Sequence, residues 1–263
     1  MKRLIFAFGL LCSITLVVAQ GSSNGFLLSG EVVYQEIVKM DIKLEGVDAQ
    51  LADQIPKERK TEKVLHFTEK EAVFENRPKE DPEENMHMEG SGLMIKINEP
   101  DNKIYIDLKN KMVIEQREFL SRMFLIESEL KPEKWKITGQ QRKILDYNCQ
   151  EAVARVEGGD VHVWFTPKIA VDAGPGTFSG LPGMVLAAEL NGGDRKLEAI
   201  GLEFKPLDQK VLKKPTKGKK VTPEEYQAMV TEKMKEMGME GDGTWHEGGG
   251  PVQTSTVVIK IDQ

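Results

Sequence analysis

The sequence predicts a mainly β protein of α+β type: one large, curved antiparallel sheet, with one C-terminal amphipathic helix before the last strand. Three observations carry this. About a dozen short stretches alternate apolar and polar residues with period two, as strands buried on one face do. Most neighbouring stretches are joined by turns of hairpin length, which forces antiparallel pairing. One stretch, beginning at Thr222, instead shows helical spacing behind a helix-start signal.

The elements follow in order. Val32, Tyr34, Val38, Met40, Ile42 and Leu44 share one parity, while Gln35, Lys39, Asp41 and Lys43 share the other. Val64–Phe67 and Ala72–Glu75 flank Thr68-Glu69-Lys70-Glu71 as a hairpin, and Leu93–Ile97 is a further strand. Ile104, Ile106 and Leu108 alternate, as do Met112 and Ile114, with Lys109-Asn110 between them. Met123–Ile126, Trp135–Thr138 and the stretch through Cys149 continue the series. Ala152–Val156 and Val161–Phe165 are joined by Glu157-Gly158-Gly159-Asp160, and Leu186–Leu190 and Lys196–Phe204 by Asn191-Gly192-Gly193-Asp194. Thr254–Ile261 closes the chain as a strand. Thr222-Pro223-Glu224-Glu225 forms a capping box with proline at the first helical position. Tyr226, Met229, Val230, Met234 and Met237 then recur at helical spacing, giving a helix over 223–237; Gly46–Pro56 is a weaker second candidate. Loops are expected over 76–92 and 238–250, and a basic linker over Lys210–Lys220.

The N-terminus reads as an export signal. Met1-Lys2-Arg3 is basic, Leu4–Ala19 is nearly continuously apolar, and small residues precede Gln20. This predicts a signal peptide over 1–19, one β-rich domain over 20–263, and a periplasmic or outer-membrane-associated location with no membrane span in the mature chain. Hydrophobic content of 40% suffices for a core, and a net charge of −6 argues against nucleic acid as a partner. Removal of Cys12 leaves Cys149 with no intramolecular disulfide partner, in an apolar setting that implies burial.

No catalytic constellation is recognisable. His66, His87, His162 and His246 form no HExxH pair, and His66 and His162 read as satisfied sheet residues. Thr177-Phe178-Ser179-Gly180 lacks the leading glycine of a nucleophile elbow. The sequence therefore implies no enzyme and no cofactor. Met86, His87, Met88 and His246 offer thioether and imidazole groups that suit copper, while the methionines of the helix read as core packing.

One further pattern spans Trp135 to Phe204: Trp135-Lys136-Ile137-Thr138-Gly139, the Cys149 stretch, Val163-Trp164-Phe165-Thr166-Pro167, Gly174-Pro175, and Phe178-Ser179-Gly180-Leu181-Pro182-Gly183. Together these resemble the signature of the GLPGLI family of exported envelope proteins. The resemblance implies a curved half-barrel like that of periplasmic lipoprotein carriers. It also implies a structural role for Cys149, Trp164, Pro167, Gly174, Pro175, Gly180, Leu181, Pro182 and Gly183. The functional expectation is a non-enzymatic envelope protein that binds an apolar or peptide ligand, or an outer-membrane or periplasmic protein, on its concave face. A soft-metal binding protein is the alternative.

Overall fold

A computed structural model of the chain describes residues 28–40, 57–78, 85–87, 93–97, 99–156, 159–236 and 257–261, with the side chains of 85–87, 93–97 and 257–261 excepted. The fold is mainly β. The strands are β1 (Gly30–Lys39), β2 (Glu58–Phe67), β3 (Glu71–Asn76), β4 (Asn85–His87), β5 (Leu93–Ile97), β6 (Lys103–Asp107), β7 (Met112–Phe119) and β8 (Arg122–Glu129), then β9 (Lys136–Ile144), β10 (Tyr147–Val156), β11 (Gly159–Thr166), β12 (Met184–Leu190), β13 (Arg195–Phe204), β14 (Lys219–Val221) and β15 (Val257–Ile261). The described helix is α1 (Pro223–Glu236). Its capping box is reciprocal: Glu225 N–H donates to Thr222 Oγ1 at 3.1 Å, and Thr222 N–H donates to Glu225 Oε2 at 2.9 Å.

Twelve strands form one sheet in the order β14-β8-β7-β6-β3-β2-β1-β13-β12-β11-β10-β9, and β15-β5-β4 form a small second sheet. The large sheet is two meanders joined where β1 pairs antiparallel with β13. Its curvature follows from chain length. β8 and β9 stand ten positions apart in the sheet, ~48 Å if it were flat. Only residues 130–135 connect them, and so short a segment spans ~25 Å at most. The sheet must therefore curl until its two ends approach, without closing.

Register explains burial. Val32, Leu65, Phe74 and Ile104 lie level across β1, β2, β3 and β6 and form one face of the core. Val163, Ala188 and Leu197 do the same across β11, β12 and β13. Residues 167–183 lie against this concave side: Ile169, Val171, Ala173, Phe178 and Leu181 are all buried in the same cluster. The concavity that was expected to hold an apolar ligand is thus filled by the chain itself. At the β8 end, Tyr226 and Val230 of α1 pack on Phe124 and Ile126, with Met229 and Met234 beside them. The chain reaches this end by a strap, residues 205–218, whose Lys214 pairs with Asp107 at 3.9 Å and lies over the Tyr105 ring at 5.0 Å.

The Gly-Leu-Pro-Gly segment closes the plug. Gly180 N–H donates to Asp172 Oδ1 at 2.8 Å, and Gly183 N–H donates to Leu181 O at 2.8 Å. Trp135 Nε1 donates to Ser179 O at 2.8 Å, and its ring meets Phe178 edge-on at 5.9 Å. Gly174 backs onto Val185, where a Cβ would stand 2.6 Å from the valine Cβ. Pro175, Leu181 and Gly183 are buried, while Pro167, Gly180 and Pro182 face solvent. Cys149 has no exposed surface, and burial pushes its thiol up to about 11. A polar thiol reagent should therefore leave native Cys149 unmodified for as long as the protein stays folded, and mass spectrometry showing rapid labelling would contradict this.

Most predicted strands and α1 recur, but Asn85–His87 inside the expected loop over 76–92 form β4, and the expected linker over Lys210–Lys220 runs into β14, because short edge strands carry too little alternation to show; the expected loop over 238–250 lies outside the described residues. The weak helix over Gly46–Pro56 and the leader over 1–19 lie outside the described residues. Among the described residues no helix is long and apolar enough to cross a membrane.

Candidate functional site

Two places gather polar side chains. The first is on the concave side. Glu36 has the parity of Tyr34 and Val38, so alternation carries a carboxylate into the core, where it is 1% exposed. Arg195 Nε donates to its Oε1 at 2.7 Å, Thr61 Oγ1 donates to its Oε2 at 3.1 Å, and Lys63 Nζ stands 3.4 Å away. Lys63 also donates to Asn76 Oδ1 and Glu99 Oε1, each at 2.6 Å. Burial acts to raise the Glu36 pKa, but Arg195 and Lys63 outweigh it and hold it at about 2. A cavity beside this cluster, lined by Lys63, Arg117, Arg195 and Phe178, measures about 20 Å³. That is room for about one water.

The second place is the outward face of β9–β13. Glu151 pairs with Trp164 across β10 and β11, His162 with Glu189 across β11 and β12, and Glu189 with Lys196 across β12 and β13. These side chains therefore share the face opposite Val161, Val163 and Phe165. Glu151 is buried in the sheet surface. It accepts from Thr138 Oγ1 at 2.5 Å, and its Oε1 lies 2.9 Å from His162 Nδ1. The hydrogen bonds from His162 and Thr138 hold its carboxyl below the usual range. Arg142 lies over the Trp164 ring at 3.9 Å and pairs with Glu198 at 3.1 Å, which fixes the indole on its strand. Beside Trp164 and His162 opens a depression of about 560 Å³, lined also by Gly159, Asp160, Glu189, Asn191 and Gly192. Its size falls among small-molecule sites, roughly 300–1,000 Å³.

Of the motif residues singled out by the family resemblance, only Trp164 enters this site; Cys149 and the glycine-proline segment do not line it. His162, read as a satisfied sheet residue, is hydrogen-bonded as expected, yet 44% of its side chain faces the depression's solvent. Arg142, Glu151 and Glu189 were missed. His162 and Trp164 share a parity opposite three buried residues, and that spacing alone could have marked them. Met86 and His87 lie in β4, whose side chains are outside the described set, as are Met88 and His246. His66 lies between Glu31 and Glu75, and burial lowers its pKa.

The curved sheet is thus plugged on one side and carries an indole, an imidazole and carboxylates around an open depression on the other. Residues 84–227, more than half of the chain, match the family described as N-glycanase peptide, N-terminal domain, and the chain belongs to that family. Two solved structures of PNGF-II, in space groups C2 and P21, are similar to it, at 20% and 19% identity with TM-scores of 0.51 and 0.50. Each match covers 77% of this chain, and the chain spans about a third of the length of those structures (32% and 33%). At that identity the likeness is one of fold. No curated protein matches.

These findings correct several expectations. The family is the N-glycanase N-terminal domain and not GLPGLI: the blocks that suggested the latter encode β9–β12 and the plug, features of how the sheet is filled. The ligand carrier falls with the filled concavity, and the copper alternative falls with the family. The expectation of no link to an enzyme is overturned as well, since the family is named for an N-glycanase. Membership is compatible with export.

Proposed function

We propose that this chain recognises glycans or glycopeptides as the N-terminal module of an N-glycanase-type protein, using the depression beside Trp164. One observation carries the reading: an indole held in place by Arg142 borders an open depression ringed by hydrogen-bonding groups. Sugars present an apolar C–H face and an edge of hydroxyls. An aromatic ring meets the first, and carboxylates, imidazole and amide meet the second. The family supports the same class of ligand, because it is named for an N-glycanase. The finer location, periplasm or outer membrane, rests on the N-terminal pattern alone.

The test is calorimetric titration of the chain with an N-linked glycopeptide. Trp164→Ala should weaken binding roughly tenfold, the scale of one aromatic contact, with the melting curve recorded to show that the variant folds. Failure of the parent chain to bind glycopeptide, or equal binding by a folded Trp164→Ala, would refute the proposal.

A further inference from the structure

The polar lining of the depression has a consistent chemical sense. Asp160 and Glu189 are carboxylates and accept only. An ionised Glu151 also only accepts, so His162 must carry its proton on Nδ1 to make the 2.9 Å contact. In the neutral imidazole this leaves Nε2 with its lone pair, turned away from Glu151. The Asn191 amide can both donate and accept, so the fixed charges of the lining are its two carboxylates, with no lysine or arginine among its residues. The nearest cations are engaged at its rim: Lys196 stands 3.8 Å from Glu189, and Arg155 stands 3.7 Å from Asp160.

We infer that the depression selects neutral, hydroxyl-rich sugars and discriminates against sugars bearing a carboxylate or sulfate. This rests on the glycan-recognition reading above and names the ligand class within it. Hydroxyls can donate to these carboxylates, whereas an anionic group meets two like charges, and the cations around them, Lys196, Arg155 and Arg142, are already paired with Glu189, Asp160 and Glu198. Both carboxylates are partly exposed, so the discrimination is moderate and weakens as salt screens it. The geometry also makes Glu151 a positioning residue: it touches no ligand and acts by setting which nitrogen of His162 faces the sugar.

The experiment titrates the chain with a neutral biantennary N-glycan and with the same glycan capped by sialic acid, at low and at high salt. The neutral glycan should bind at least fivefold more tightly at low salt. The ratio should shrink at high salt and in Asp160→Asn combined with Glu189→Gln. Equal binding of the two glycans overturns the inference and leaves the glycan-recognition reading standing, while binding of neither overturns both. Imidazole 15N shifts supply a second readout. In the neutral ring the proton of His162 should sit on Nδ1, and Glu151→Gln should move it towards Nε2; a neutral ring protonated on Nε2 in the parent chain refutes the acceptor assignment.

Discussion

Gly183→Val should destabilise the fold by several kcal/mol and lower its melting temperature sharply. The residue sits at φ +150°, where a side chain is strained at a cost of roughly 1–3 kcal/mol. A Cβ there would also overlap the carbonyl of Thr166 and crowd Pro167, both backbone neighbours that cannot rotate away. Forcing them apart adds roughly 1–3 kcal/mol of overpacking. The pair of costs is a large share of a typical stability of about 5–15 kcal/mol. Thr166 ends β11 and Met184 opens β12, so the displacement would spread into the strands that carry Trp164 and His162. Thermal melting and accumulation of the expressed chain decide the matter. A variant that melts like the parent but no longer binds glycopeptide would make the turn a recognition element instead.

Glu36→Gln is expected to be nearly as damaging. The carboxylate is the shared partner of Arg195 and Lys63 and lies in the field of Arg59. Removing it strands buried cations at a cost of roughly 3–5 kcal/mol. The same carboxylate predicts acid sensitivity. Its folded-state pKa of about 2 lies below the ordinary value of 4.5. Its stabilisation is therefore present above about 4.5 and is lost as pH falls from there towards 2, to the extent of about 3 kcal/mol. Denaturant melts at pH 6 and pH 3 should show most of that loss, about 2 kcal/mol, in the parent chain and much less of it in Glu36→Gln. A pH-independent difference between the two proteins would contradict the assignment.

The legible part of this molecule was what local alternation encodes. Val32, Tyr34 and Val38 are buried as their parity requires, and Thr222 and Glu225 cap the helix as their spacing requires. Glu36 shows the limit. Its position on the buried parity is readable, but its partners come from β2 and, 159 residues away, from β13, and nothing local announces that they meet. The plug was misjudged for a related reason. Ile169, Val171 and Ala173 alternate like a strand, but the glycines and prolines around them drew attention to the turn instead of to what the turn inserts. On the outward face, His162 and Trp164 could be placed by counting, whereas Arg142 and Glu151 join them only through the register of three strands, which the sequence does not print.

The seam between β1 and β13 bears on how the chain reaches its structure. Every other neighbouring pair within the two meanders joins strands close in sequence, but β1 stays half-paired until residues 195–204 arrive. The first meander can zip up as it emerges, and so can the second, yet the core they share does not exist before the seam forms. Closing so long a loop is entropically slow. The rate-limiting event in folding should therefore be the meeting of two half-sheets, and until it occurs the plug has no concave wall to fill.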